Sequence, residues 1–304
     1  MAAIICGSLA FDTIMTFEGR FAEQIMPDQL HILNVSFLVP GLRRDFGGCA
    51  GNIAYSLKAL GGDPLPMATV GADGADGADY LKRLADLGIS TEYVRALPGT
   101  YTAQAMIMTD RDNNQITAFH PGAMMQAHVT RIEARSDVKI GIISPDGRDA
   151  MLQHAEQFHA AGIPFVFDPG QGLPMFDGKD LARFIELASW VTVNDYEGKM
   201  LCERTGWDEA GISHRVRGLV VTLGGDGCDV WVDGQCTRVA PVKAEAVVDP
   251  TGCGDAWRGA LLFGLESGWD LARCAALGNA VGSLKIAQRG PQNYTIDRAA
   301  LGLA

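Results

Sequence analysis

Short, continuous apolar runs separated by segments of helical spacing recur along most of this 304-residue chain, and they restrict its fold more than any other feature. The runs at residues 3–6, 66–70, 138–144, 164–168, 190–193 and 218–223 are mostly uninterrupted, as expected of strands covered on both faces. Between them, residues 50–60, 78–87, 148–161, 181–187 and 196–205 read as helices, and two apolar helices follow at 256–265 and 271–287. Strand, helix and strand in repeated order predict a mainly parallel α/β sheet with right-handed crossovers.

Two stretches break this rhythm. Residues 30–46 are rich in β-formers (Ile32, Val35, Phe37, Val39), and residues 102–120 read as a hairpin turning at Asp110-Arg111-Asp112-Asn113-Asn114. Together they predict a small accessory sheet over the main one. It is either a lid that excludes water from a reactive group or a set of plain edge strands. The Gly-Ala-Asp run from Gly71 to Asp79 predicts a loop leading into a helix.

Composition narrows the function. A formal charge of −11, with no basic run, argues against nucleic acid and anionic membrane surfaces. The seven cysteines (Cys6, Cys49, Cys202, Cys228, Cys236, Cys253, Cys274) are scattered, odd in number and without Cys-x-x-Cys spacing, so neither a zinc site nor a disulfide framework is predicted. The start of the chain lacks a basic n-region, and no apolar run is long enough to span a bilayer. These features predict a soluble, reduced, cytoplasmic protein, built as one large α/β domain or two smaller ones.

The densest chemistry lies in Val248-Asp249-Pro250-Thr251-Gly252-Cys253-Gly254-Asp255-Ala256-Trp257-Arg258-Gly259-Ala260. Glycines open the backbone N–H groups to close approach, and a following helix adds its positive end, which together favour phosphate oxygens. Asp255 would repel phosphate there unless it had a second task. Either it accepts a proton from a hydroxyl about to be phosphorylated, or it merely caps the helix.

Weaker motifs have the same two-sided character. Thr222-Leu223-Gly224-Gly225-Asp226-Gly227 follows a strand and is either a nucleotide loop or a bland turn. Asn194 either faces triphosphate oxygens or caps a helix, and Glu197 in the first reading orders water around Mg2+. Asp12, and Asn52 after the Gly47-Gly48 pair, are candidates for vicinal hydroxyls or simple turn and helix-start groups. Gly-x-x-x-x-Gly-Lys-Ser/Thr, His-Glu-x-x-His and Gly-x-Ser-x-Gly are absent, and Gly252-x-Gly254 lacks a third glycine at dinucleotide spacing.

Gly47-Gly48-Cys49-Ala50-Gly51-Asn52-Ile53-Ala54 and Asp249-Pro250-Thr251-Gly252-Cys253-Gly254-Asp255 resemble the two signatures of the ribokinase-like (PfkB) carbohydrate and nucleoside kinases. Asn194-x-x-Glu197 and Thr222-x-Gly224-x-x-Gly227 match in order and spacing. The resemblance covers essentially the whole chain. It implies a single three-layer α/β/α domain over 1–304, with a lid from about residues 13–46 and 96–122. It also implies ATP- and Mg2+-dependent phosphorylation of a primary hydroxyl, with Asp255 as base and Gly252, Cys253 and Gly254 as anion hole.

By the same resemblance, Asn194, Thr222, Gly224, Gly227 and Asn279 contact the nucleotide, the last beside its base. Glu197 serves Mg2+ through water. Asp249 and Thr251 hold a monovalent cation, potassium in the first place, with the loop 287–292. On the nucleoside reading, Asp12, Gly48 and Asn52 are expected to hold the ribose, with Phe119 packing on the base. Asp168-Pro169-Gly170-Gln171 and Arg289-Gly290-Pro291-Gln292-Asn293 are more similar to prokaryotic adenosine or nucleoside kinases than to sugar kinases. Apolar Phe37, Phe46, Met106 and Phe119 agree with a flat purine acceptor, unless they form the lid's own core. A sugar kinase of the same family and a non-catalytic nucleoside sensor are the competing readings. Dimerisation through the lid is open.

Overall fold

A computed structural model describes residues 2–25, 32, 34–112 and 114–303; the Leu30, His31 and Leu33 part of the first accessory stretch and Asn113 of the hairpin turn lie outside them. The chain begins β1 (Ala2–Cys6), β2 (Ala10–Thr16), α1 (Phe21–Gln24), β3 (Gly41–Gly47), α2 (Cys49–Ala59), β4 (Asp63–Gly71), α3 (Asp76–Asp86) and β5 (Val94–Leu97). It continues with β6 (Ala103–Thr109), β7 (Gln115–His120), β8 (Val138–Ile143), α4 (Arg148–Ala160), β9 (Phe165–Phe167) and α5 (Gly178–Leu187). The last third holds β10 (Trp190–Asn194), α6 (Asp195–Thr205), α7 (Glu209–Ser213), β11 (Leu219–Thr222), β12 (Cys228–Val232), β13 (Gln235–Val239), α8 (Cys253–Glu266) and α9 (Leu271–Ile286).

The main sheet has the order β13-β12-β11-β10-β9-β8-β1-β4-β5, parallel from β11 to β5, with antiparallel β12 and β13 at one edge. Its central strand explains the uninterrupted apolar runs. Ile4 and Cys6 pack on one face with Phe158, Phe167 and Phe184, while Ala3 and Ile5 pack on the other with Ile53, Leu57 and Leu261. Both faces of β1 are therefore dry, and no alternation with polar residues is tolerated.

A separate four-stranded sheet has the order β3-β2-β6-β7. The Asp110 hairpin appears as expected, its carboxylate accepting the Asp112 and Asn114 N–H groups at 2.9 Å. Two expectations fail here. Residues 34–39 are irregular rather than strand, because Phe37 docks edge-on against Phe17 and Phe21 instead of joining a ladder. The strand β2 was not anticipated; Asp12 lies within it rather than in a loop after β1.

Close packing of α2 against α8 positions the site. A Cβ on Gly259 would lie 2.5 Å from the Ser56 Cβ and 2.9 Å from the Ile53 carbonyl, so only glycine allows this approach. One helical turn away, Asn52 of α2 and Asp255 of α8 meet.

Candidate active site

Ser8, Pro145, Asp168, Asn194 and Thr222 all lie at or just beyond the carboxyl ends of main-sheet strands, where open α/β sheets hold ligands. Two cavities adjoin there. One, of about 430 Å3, is lined by polar groups including Asp168, Asn194, Glu197, Thr222, Gly224 and Arg258. The other, of about 570 Å3, lies under the small sheet and includes Asp12, Gly48, Asn52, Ile107, Phe119 and Met175. Gly252, Asp255 and Cys49 belong to both walls.

Gly252 precedes α8 with φ 77°, and a Cβ there would strike Pro291 at 2.5 Å, so the turn requires glycine. Asp255 sits in the first turn of α8, and its Oδ2 accepts the Asn52 amide at 2.8 Å. Gln292 orients that amide by donating to Asn52 Oδ1 at 3.1 Å and to Tyr80 Oη at 2.9 Å. Burial raises the Asp255 pKa above the usual carboxylate value, against the pull of Asn52 and Arg258. A carboxylate of raised basicity at a junction of two cavities is suited to taking a proton.

Of the three residues expected as anion hole, Gly252 and Gly254 line the cavities and Cys253 lines neither. The Cys253 N–H is bonded to the Pro250 carbonyl at 3.2 Å, and its thiol faces back toward the Asp249 carbonyl at 3.8 Å. Asn194 and Glu197 form a reciprocal capping box on α6, with Glu197 N–H to Asn194 Oδ1 at 2.7 Å and Asn194 N–H to Glu197 Oε2 at 2.8 Å. Both still line the polar cavity. Gly227 and Asn279 line neither cavity. Gly227 closes the turn between β11 and β12, and Asn279 accepts Trp257 Nε1 at 3.0 Å while donating to the Ala240 carbonyl at 2.9 Å.

Strand alternation sorts the lid residues. Asp12, Ala105 and Phe119 stand opposite one another on the cavity face, as do Ile107 and Thr117. Met106 is one position out of phase and faces away. Phe46 packs against Phe11 and Tyr80, so it and Phe37 belong to apolar clusters outside the cavity. Asp12 is pushed up to about 6 by burial and by the nearby Asp45, Asp255 and Asp249 charges, against Arg43.

Sequence reasoning missed Arg258. It is only 8% exposed, its Nη2 donates to Asp168 Oδ1 at 2.7 Å, and its Nε lies against Asp168 Oδ2. Burial raises the Asp168 carboxyl to about 7 against the pull of Arg258, and Asp168 in turn outweighs the burial that opposes the Arg258 charge. Its position three residues after Asp255 on one helix was the available signal.

The expected monovalent-cation ligands do not fit a free ion. Asp249 Oδ1 accepts the Thr251 N–H at 2.9 Å, and Oδ2 accepts both Arg43 Nη2 at 2.8 Å and the Gly290 N–H at 3.0 Å. Burial opposes ionisation of Asp249, but these donors and the Thr251 side chain outweigh it and hold the carboxyl down to about 2. The Asp249 carbonyl is taken by the Lys285 ammonium at 2.7 Å, which also reaches the Gln288 carbonyl at 3.2 Å.

A parallel α/β sheet whose strand ends carry two adjoining cavities, a glycine-led helix terminus and a shared, partly buried carboxylate defines a phosphotransferase acting on a hydroxyl group. The pfkB family carbohydrate kinase model matches residues 20–298, and the chain belongs to that family. The nucleoside kinase of Burkholderia thailandensis, solved in complex with inosine, is 56% identical with a TM-score of 0.87, covering 98% of this chain and 94% of that one. The nucleoside kinase of Methanocaldococcus jannaschii is 31% identical over 96% of this chain and 93% of its own. A probable fructokinase-4 of Arabidopsis thaliana is 28% identical over 83% and 84%. Among the described residues, no helix is long and apolar enough to cross a membrane.

Proposed function

We propose that this protein transfers the γ-phosphoryl group of Mg-ATP to the 5′-hydroxyl of a purine nucleoside, with adenosine as the first candidate. The observation that carries the reading is the place of Asp255 on the common wall of two cavities of small-molecule size. Transfer needs donor and acceptor to meet at one base, in line. The similar Burkholderia thailandensis enzyme is also known in complex with ADP-inosine, at 56% identity, which supports a nucleoside over a sugar.

In this reading Asp12 and Asn52 hold the ribose diol beside Gly48, and the base lies against Ile107, Phe119 and Met175. The polar cavity takes the triphosphate along Asn194, Thr222 and Gly224. Mg2+ brings charge neutralisation to the phosphates, and Glu197 orders water around it, consistent with a metal that needs few protein carboxylates. Gly252 and Gly254 present backbone at the transferred group, and the small sheet closes as a lid. The outer face of that sheet, with Leu42, Met106 and Ile116 exposed, is the surface on which a second copy would pack; light scattering that finds a monomer removes that part.

A panel of adenosine, inosine, guanosine, cytidine, ribose and fructose with Mg-ATP tests the reading. Nucleoside monophosphates form and sugars stay inert; sugar phosphates alone overturn it, and tight nucleoside binding without any turnover makes the protein a sensor. The acid side of the same assay reads Asp12. Only its ionised form accepts two ribose hydroxyls, and its pKa is raised to about 6. Nucleoside KM therefore rises as pH falls through that value, by about tenfold for each further pH unit. A KM that stays flat down to the ordinary carboxylate range removes Asp12 from the ribose site.

A further inference from the structure

We infer that Lys285 is a tethered replacement for a monovalent cation, so that this kinase works without potassium. Lys285 lies in the last turn of α9 and is completely buried. A buried ammonium is costly unless hydrogen-bonded, and here it has two carbonyl partners, Asp249 O and Gln288 O. Those carbonyls belong to the two loops that the family resemblance assigns to a cation. The ammonium thus occupies the oxygens an ion would need, and Arg43 with the Gly290 N–H occupies the carboxylate.

The placement also gives the charge a task. The Val248 and Asp249 N–H groups both bond to the Ile286 carbonyl, so Lys285 and its neighbour clamp the strand of chain entering the Gly252 turn from two sides. Cys253, at the start of α8, turns its thiol toward the same Asp249 carbonyl. A fixed positive charge behind this turn adds to the positive end of α8 without needing an ion to be bound. Lys285 is a positioning residue: it acts through the turn and touches neither cavity.

The test compares potassium chloride with tetramethylammonium chloride at constant ionic strength, reading both turnover and thermal midpoint. In the unaltered enzyme neither changes on exchanging the cation. Lys285→Met lowers kcat by about ten- to a hundredfold, less than loss of a direct anion-hole donor. In that variant, potassium or ammonium ions restore much of the rate and raise the midpoint, while tetramethylammonium does neither. Potassium activation or stabilisation of the unaltered enzyme overturns the inference. So does a methionine variant of unchanged rate, or one that is slow and answers to no cation, since the lysine is then only a structural tie. Should that variant fail to fold, the cation series on the unaltered enzyme still decides. The kinetic arm rests on the proposed nucleoside kinase activity; the melting arm needs no turnover and reads the inference even if that activity is wrong.

Discussion

Asp255→Asn lowers kcat by about 10³-fold, the scale of losing a general base. Nucleoside affinity measured by calorimetry changes by less than about tenfold, because the substitution keeps shape and removes only charge and basicity. The Asn52 amide at 2.8 Å still finds an oxygen in the variant, so the wall of the acceptor cavity survives. The pH profile adds a second readout. Burial holds Asp255 above the ordinary carboxylate value, so the acid limb of wild-type kcat lies above that value and rises with pH. In the variant the residual rate loses that limb. Turnover within tenfold of wild type would assign the proton transfer to another group and leave Asp255 as a helix-start residue.

Arg258→Met produces the largest loss of stability expected from a single change at this site. The Asp168 carboxylate is only 2% exposed and is held by two contacts to the guanidinium. Removing the arginine leaves a buried carboxyl without its partner, which must stay charged unpaired or take up a proton, at a cost of about 3–5 kcal/mol. At roughly 2–4 °C per kcal/mol for a chain of this order of size, the thermal midpoint falls by about 10 °C. Adding Asp168→Asn in the same molecule removes the ionisable group, with its cost of desolvation or proton uptake, and recovers more than half of the drop. A single variant that melts within a degree or two of wild type, or a double variant that melts no higher than the single, contradicts the account.

Arg258 shows why part of the site was illegible. Its partner lies 90 positions earlier, and nothing in either local sequence names the other. The same holds for Arg43 and Asp249, which are 206 positions apart, and for Gln292 and Asn52, 240 apart. Local patterns were a better guide to local structure. The runs at 190–193 and 218–223 became β10 and β11, and the Asp110 turn became the β6–β7 hairpin. Even there, β-propensity misled at residues 34–39, where Phe37 had aromatic neighbours rather than a strand to pair with.

From sequence alone, this chain is a parallel α/β protein with a glycine-led anion turn and a carboxylate inside it, because apolar continuity, glycine and helix polarity act over a few residues. Which lid residues face the acceptor, and which charges partner Asp168 and Asp249, were decided only in three dimensions. Those choices depend on strand register and on desolvated ion pairs, whose energies exist only when distant segments are packed together.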